Sequence, residues 1–299
     1  MAGTKEILDR IGSIRETMKV TNAMYLISSS KIRKARERMT EVQAYYDAIC
    51  STIGDILALA PDIESRFLEK KLKTAEDEQK AKTAKRGYLV ITADKGLAGA
   101  YNINVIRRME TELSEHPNSE LFVIGQVGLH YFARKQISVK EDFVYSSQNP
   151  NLQRARNIAA DLIHEFDSGN IDEIYVIYTR MKNALQSETV EMKLMPLSRE
   201  AYYKTDEEVR GEESFYPDAK TVFMQIAPLT LHGIIFSALT ESYCAELNDR
   251  MTAMNSASEN ASKMIQDLEL EYNRKRQGSI TQEITEIIAG ASALKNSNG

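Results

Sequence analysis

IIFSALTESYCAELNDRMTAMNSASENASKMIQDLELEYNRKRQGSITQEITEIIAGASAL, residues 234–294, contains neither Gly nor Pro from Ile234 to Gln277. A helix of that length spans roughly 66 Å at about 1.5 Å per residue. Phe236, Leu239, Tyr243, Leu247, Met251, Met254, Ala261, Ile265, Leu268 and Tyr272 follow one another in steps of three, four and seven and so mark one helical face. A stripe that long cannot be hidden in one globular core, and it calls for a partner helix of similar length.

The partner lies at the other end of the chain. Positions 7, 11, 14, 18, 21, 25, 28, 32, 35, 39, 42, 46, 49, 53 and 56 alternate steps of four and three, and only Thr21 and Ser28 interrupt their apolar character. This is coiled-coil seam spacing. No Gly or Pro intervenes between Ser13 and Ile53. Two long helices enclosing everything else predict an antiparallel pair, with two unrelated bundle helices as the alternative. Within the first helix, KIRKARER (31–38) holds five basic residues: Lys31, Arg33, Lys34, Arg36 and Arg38. Glu37 and Glu41 dilute that charge and no aromatics interleave, which favours a solvated face over docking to an acidic partner or nucleic acid.

Between the helices the pattern changes to strands alternating with helices. Gly87–Thr92, Leu121–Ile124, Glu173–Thr179 and Glu188–Met195 read as strands, with Ile137–Tyr145 as a weaker one. Asn104–Leu113, Val127–Lys135 and Leu152–Phe166 read as helices. The expected architecture is therefore α/β: a long antiparallel coiled coil of N- and C-terminal helices plus a central Rossmann-like α/β domain with a largely parallel sheet. Its expected divisions are 1–60 for the first coiled-coil helix, 61–86 for a charged linker, 87–218 for the α/β domain and 219–299 for the second helix and its tip. Arg199–Asp218, with seven acidic and three basic residues, reads as an exposed loop or hairpin.

Composition narrows the function. The 299 residues are 42% hydrophobic and 27% charged, the profile of a folded, soluble chain. A net charge of −5 gives no general attraction to nucleic acid. No stretch reaches 18 consecutive apolar residues, so no membrane span is expected. The N-terminus lacks a signal-peptide core, which predicts work in the compartment of synthesis. Cys50 and Cys244 read as small apolar helix residues, and the four histidines show no metal-ligand spacing. The loop Asp94–Ala100 (DKGLAGA) follows a strand and precedes a helix, but Gly96 and Gly99 complete neither a dinucleotide fingerprint nor a P-loop. A tight strand-to-helix turn is the simpler reading. No nucleophile elbow or catalytic constellation is present, and no cofactor is expected.

Three stretches carry a family resemblance: IGSIRETMKVTNAMYLISSSKIRKAR (11–36), TADKGLAGAYN (92–102) and NRKRQGSITQEITEIIAGASAL (273–294). Together they resemble the gamma subunit of F-type ATP synthases. The resemblance runs from end to end and is most specific at Ile280–Ile284 with Glu286, Ile287, Gly290 and Ala291. It implies a non-catalytic rotor shaft that transmits torque between an ion-driven c-subunit ring and the catalytic sites of a ring of three alpha and three beta subunits. It further implies one copy per complex, contact with epsilon and the c-ring, and a peripheral position at the cytoplasmic face of the cell membrane, reached only through the c-ring. By position it implies that Arg276, Gln277, Thr281 and Glu283 meet a catch loop of beta. Met24, Ile280, Ile284, Ile287, Ile288 and Leu294 would form the shaft and bearing surface. Departures are Ser28–Ser30 where small apolar residues are usual, Gly278 for a more usual Ala, and Ala98 and Ala100 in the glycine loop. The closely spaced cysteine pair of photosynthetic relatives is missing, so no thiol switch is expected. Two other readings remain on residue grounds: a nucleotide-binding α/β enzyme with coiled-coil arms, and a self-associating coiled-coil scaffold.

Overall fold

Helix α1 runs Ala2–Leu59 and helix α5 runs Ala219–Ser297. These are the two long helices that the seam spacing and the Gly/Pro-free run require. The computed structural model describes residues 2–69, 84–183, 186–202 and 215–297. Every described position of the α1 seam is buried or half-buried; the side chain of Val42 lies outside the described set. Helix α5 begins well before Ile234. Asp218 caps it, its Oδ1 accepting from the Thr221 amide at 2.9 Å and its Oδ2 from the Thr221 hydroxyl at 2.8 Å. The helix then passes through Pro228 and Gly233 without ending. By length and composition α5 could cross a membrane, but 56% of its apolar window is buried inside the protein, as in a core helix.

The chain forms two units, residues 1–27 with 251–299, and residues 28–250. In the first, α1 and α5 segments run antiparallel. Ile7 and Ile11 pack with Ile265, flanked by Ile14, Met18, Leu268 and Tyr272. Nearer residue 27, the Thr21 and Ser258 hydroxyls lie 2.7 Å apart, and Ser258 donates to Asn22 at 2.9 Å. Thr21, an exception in the apolar seam, is thus paired with a polar partner across it. Arg15 and Glu269 form an exposed ion pair at 2.7 Å.

The second unit holds the α/β layers. Strands β1 (Arg86–Ile91), β2 (Glu120–Ile124), β3 (Glu173–Met181) and β4 (Ser187–Met195) lie in the order β2-β1-β3-β4. The first three are parallel and β4 is antiparallel to β3. Alternation along the strands sends side chains to two cores. Tyr88, Val90, Leu121, Val123 and Ile177 pack under helices α2 (Tyr101–Glu115) and α3 (Gln126–Arg134). Leu89, Ile91, Phe122, Ile124, Ile174 and Val176 meet helix α4 (Leu152–Asp167) and the coiled-coil segments carrying Ile53, Ile56, Phe223, Ile235 and Leu239. Asn151 caps α4, its Oδ1 accepting from the Arg154 amide at 2.8 Å. Between β2 and α3, Gly125 has φ +92, and a Cβ there would lie 2.2 Å from the Thr92 carbonyl oxygen, so only glycine fits.

Three local expectations change. Ile137–Tyr145 is not a strand: Tyr145 makes a single bridge to Ile124, and Lys140 donates its amide to the Leu121 carbonyl at 2.9 Å. Phe143 enters one core with half-buried Tyr145 beside it, half-buried Ile137 and Val139 pack against the other, and Val144 is 68% exposed, so the segment covers the β2 side of the sheet by side-chain packing rather than a ladder. The start of the charged stretch after Pro61 is docked, with Ile63, Phe67 and Leu68 buried and Leu68 bridged to Leu197; residues 70–83 lie outside those described. The start of the acidic stretch is held as well. Arg199 donates to the carbonyl of Pro61 at 3.0 Å and to that of Ile63, ahead of a short 3-10 turn at Glu200–Tyr202. Residues 203–214 lie outside the described set.

Candidate coupling surfaces

The last seam residue of α5 to find cover is Tyr272, half-buried beside the Ile7–Ile11–Ile265 cluster. From Asn273 to Ala289 every residue except half-buried Ser279 is exposed, yet the backbone stays helical. That is roughly 25 Å of single helix at about 1.5 Å per residue. Ile280, Ile284, Ile287 and Ile288 project from it at 47, 51, 71 and 61% exposure. Leu294 lies further along the same helix, its side chain outside the described set. Gly278 has nothing within 4 Å of a would-be Cβ, so packing does not require it.

Among the described residues, the hydrogen bonds of Thr281 and Glu283 stay within their own helix. The Thr281 hydroxyl donates to the Gln277 carbonyl at 3.0 Å, and Glu283 accepts weakly from Ser279 at 3.4 Å. The side chains of Arg276 and Gln277 are exposed and have no hydrogen-bond or ion-pair partner among the described residues. Arg276 and Glu283 are seven residues apart, and Gln277 and Thr281 four, so each pair follows a line along the helix. Met24 is half-buried on α1. The tip is therefore an uncovered helix with an apolar stripe and exposed polar groups, a surface suited to recognition.

The glycine-rich loop has a different role from cradling phosphate. Leu97 and Gly99 adopt left-handed φ values of +62 and +56. The Lys95 and Gly96 carbonyls both accept from the Arg250 guanidinium of α5, each at 3.1 Å. The Asp94 amide is taken by Ser147 and the Ala93 amide by Asn102. Sequence reading missed Arg250 and its helix neighbour Glu246. The available signal was Ser242, Glu246 and Arg250, a polar line at spacing four inside an otherwise buried stretch.

The other candidates are structural. Burial pushes the Cys244 thiol up to about 11 and also raises Cys50. His116 lies with Glu112 and Glu115, their ligand atoms within 4.8 Å of one another. Glu112 is already engaged, accepting from Tyr88 at 3.0 Å and pairing with Arg108 at 2.8 Å, so the trio is no open ligand set. Lys31, Arg33, Lys34, Arg36 and Arg38 are all exposed and form no ion pair among the described residues.

The ATP synthase family model matches residues 3–294. The chain belongs to the ATP synthase gamma chain family. A gamma chain from Ruminiclostridium cellulolyticum is 40% identical over 296 residues, covering 97% of this chain and 98% of its own. A gamma chain from Acetobacterium woodii named as sodium ion specific is 33% identical over 306 residues, covering 97% and 98%. Among solved structures, a chain of the Euglena gracilis mitochondrial ATP synthase has the same fold, with TM-score 0.67 at 14% identity over 100% of this chain and 96% of that one. A chain of the Tetrahymena thermophila central stalk and c-ring gives TM-score 0.57 at 24% identity, over 80% and 99%. As a gamma chain, this protein is the rotor-shaft subunit of an F-type ATP synthase and not itself the catalyst. Its place at the membrane is peripheral, through that complex.

Proposed function

We propose that one copy of this chain turns inside a ring of three alpha and three beta subunits, with its α/β layers seated beside epsilon on the c-ring at the cytoplasmic face of the membrane. The observation that carries this reading is the single-helix tip, which keeps its helix roughly 25 Å beyond its last packed seam residue while exposing four isoleucines. Such a stripe is a liability in a free protein and an asset inside a collar. There it acts as a bearing, because apolar contact has no preferred direction and resists rotation little. Arg276, Gln277, Thr281 and Glu283 supply the directional contacts to a beta loop that form and break as the shaft turns. Met24 contributes from α1, and Ile280, Ile284, Ile287, Ile288 and Leu294 line the bearing.

Turnover is the test. Alpha and beta subunits are co-expressed with and without this chain, and ATP hydrolysis is compared with that of the chain alone. The expected result is an inert isolated chain that joins the ring at one copy per six subunits and sustains its turnover. Nucleotide hydrolysis by the chain alone, with no effect on the ring, would instead support the α/β-enzyme reading. A stable homo-oligomer that ignores the ring would support the scaffold reading.

A further inference from the structure

In an open parallel α/β sheet, the crevice for a ligand lies beyond the carboxyl ends of the strands, where the strand order reverses. Here β1 has β2 on one side and β3 on the other, so the reversal falls at the carboxyl end of β1. Asp94–Ala100 occupies that place. The group that fills it is the side chain of Arg250, a residue of the chain's own helix α5 and only 8% exposed.

Arg250 is held from both sides. Its Nη2 donates to the Lys95 and Gly96 carbonyls, and its Nη1 donates at 2.5 Å to the carboxylate of Glu246, one helical turn away and fully buried. Gln148 donates to the two Glu246 oxygens at 3.2 and 3.4 Å. The Gln148 carbonyl in turn accepts from Arg154 at 2.6 Å, fixing that loop to α4. One turn earlier on α5, the Ser242 hydroxyl lies 2.6 Å from the Tyr101 hydroxyl at the start of α2. Ala245 packs with Ala93, Ala98 and Tyr101, and on the adjoining side Asp249 accepts from Ser187 at 2.7 Å. Ser242, Glu246 and Arg250 are spaced by four and therefore line one side of the helix.

We infer that Arg250 and Glu246 form a clamp that locks helix α5 against rotation relative to the α/β layers, making Arg250 a positioning residue for torque transfer. Apolar packing resists displacement of a helix through shape alone, because the hydrophobic effect itself is non-directional. The contacts made here are directional: Nη2 reaches two carbonyls of one loop, Glu246 on the same helix orients the guanidinium through Nη1, and Gln148 ties Glu246 to the layers, so roll angle and height are both fixed. The left-handed backbone at Leu97 and Gly99 shapes the loop whose carbonyls meet the fork. The switch-point crevice thus serves as a socket for the shaft, which also explains a glycine-rich turn without a nucleotide fingerprint.

This inference rests on the rotor-shaft reading, and its test separates the two. Complete ATP synthase carrying this chain is reconstituted in lipid vesicles, and ATP hydrolysis is measured beside ATP-driven uptake of protons and of sodium. The variants are Arg250→Ala and Arg250→Lys, which keeps the charge but loses the fork, with Arg180→Ala as a surface ion-pair control. If the wild-type chain fails to support ion uptake, the rotor reading falls and the clamp falls with it. If the wild type pumps, the expected result is that Arg250→Ala lowers ions moved per ATP by roughly threefold or more. Arg250→Lys is expected to fall between, and Arg180→Ala to match the wild type. An unchanged ratio in Arg250→Ala, or a loss of hydrolysis and uptake in equal proportion, would overturn the clamp as a coupling element.

Discussion

The ring of Tyr46 on α1 lies so close to Gly233 on α5 that a Cβ at Gly233 would meet its Cδ2 at 2.2 Å and its Cγ at 3.1 Å. The clash is with the body of the ring rather than the tip of a flexible side chain, so the ring or the helix must shift. Gly233 therefore buys close approach of the two helices at the expense of helix propensity.

Gly233→Ala is accordingly expected to destabilise the chain despite improving propensity. Overpacking costs about 1–3 kcal/mol, against a propensity gain of about 1 kcal/mol. Gly278→Ala, at a site with nothing within 4 Å, receives the propensity gain alone. Denaturant unfolding monitors the first variant, and amide exchange across residues 273–289 monitors the second. Opposite signs are expected; equal signs would mean that Tyr46 does not constrain Gly233.

A second prediction concerns pH. Glu165 on α4 accepts from Lys140 at 2.8 Å and from Asn170 at 2.7 Å. The Lys140 contact, opposed by burial and aided by Asn170, holds its carboxyl below the usual glutamate value of 4.5. A lowered carboxylate pKa stabilises the fold when the group is ionised, and that contribution disappears as pH falls through the folded pKa. The wild type is expected to melt above Glu165→Gln at pH values higher than 4.5, with the gap closing below it. A gap that stays constant with acidification would exclude the Lys140 pair as its source.

Much of this fold was legible because it is periodic. The α1 seam keeps its spacing over many turns with only Thr21 and Ser28 polar, the α5 stripe skips one step between Met254 and Ala261, and propensity, spacing and the absence of Gly and Pro agree. Ile137–Tyr145 misled because a segment that packs Ile137, Val139, Phe143 and Tyr145 against the cores has strand-like composition without strand pairing. The expected division at 219 coincides with the start of α5 at Ala219, although Pro228 and Gly233 lie ahead of the Gly/Pro-free run on which the reading of the helix rests. The roles of the tip residues come from the resemblance alone; the structure gives only their placement, with Arg276, Gln277, Thr281, Glu283 and the four isoleucines from Ile280 to Ile288 exposed. The polar line Ser242, Glu246 and Arg250 was visible in the sequence but its partner was not, since Arg250 and Lys95 are 155 positions apart and only the fold brings the guanidinium onto the loop carbonyls.

Arg276 gives a third prediction. It is exposed and has no partner among the described residues, so Arg276→Ala is expected to leave the melting temperature of the isolated chain unchanged. In the assembled complex it would lose a charge-assisted contact, a class of interaction that contributes about 1.5–3 kcal/mol. If that contact is stronger at the rate-limiting step than in the resting state, turnover falls by about ten-fold for each 1.4 kcal/mol. The check is ATP hydrolysis by the alpha–beta–gamma assembly beside unfolding of the free chain. Unchanged turnover would remove Arg276 from the coupling contacts.

The bearing makes the sharpest demand, because it turns exposed apolar surface into binding energy. Ile284 and Ile288 stand 51 and 61% exposed on one side of an uncovered helix. Their burial in a collar is worth up to about 1.5–3 kcal/mol each, and a charge placed there must in addition be desolvated. Ile284→Lys and Ile288→Glu are therefore expected to leave the free chain's unfolding unchanged while weakening capture by the alpha–beta ring roughly ten-fold or more. Ile284→Val removes one methylene and is expected to cost about 0.8 kcal/mol or less. Quantitative pull-down of the ring by immobilised chain distinguishes the cases. Full capture by both charged variants would mean that the isoleucine stripe faces no collar, and the extended tip would then need a role other than a bearing.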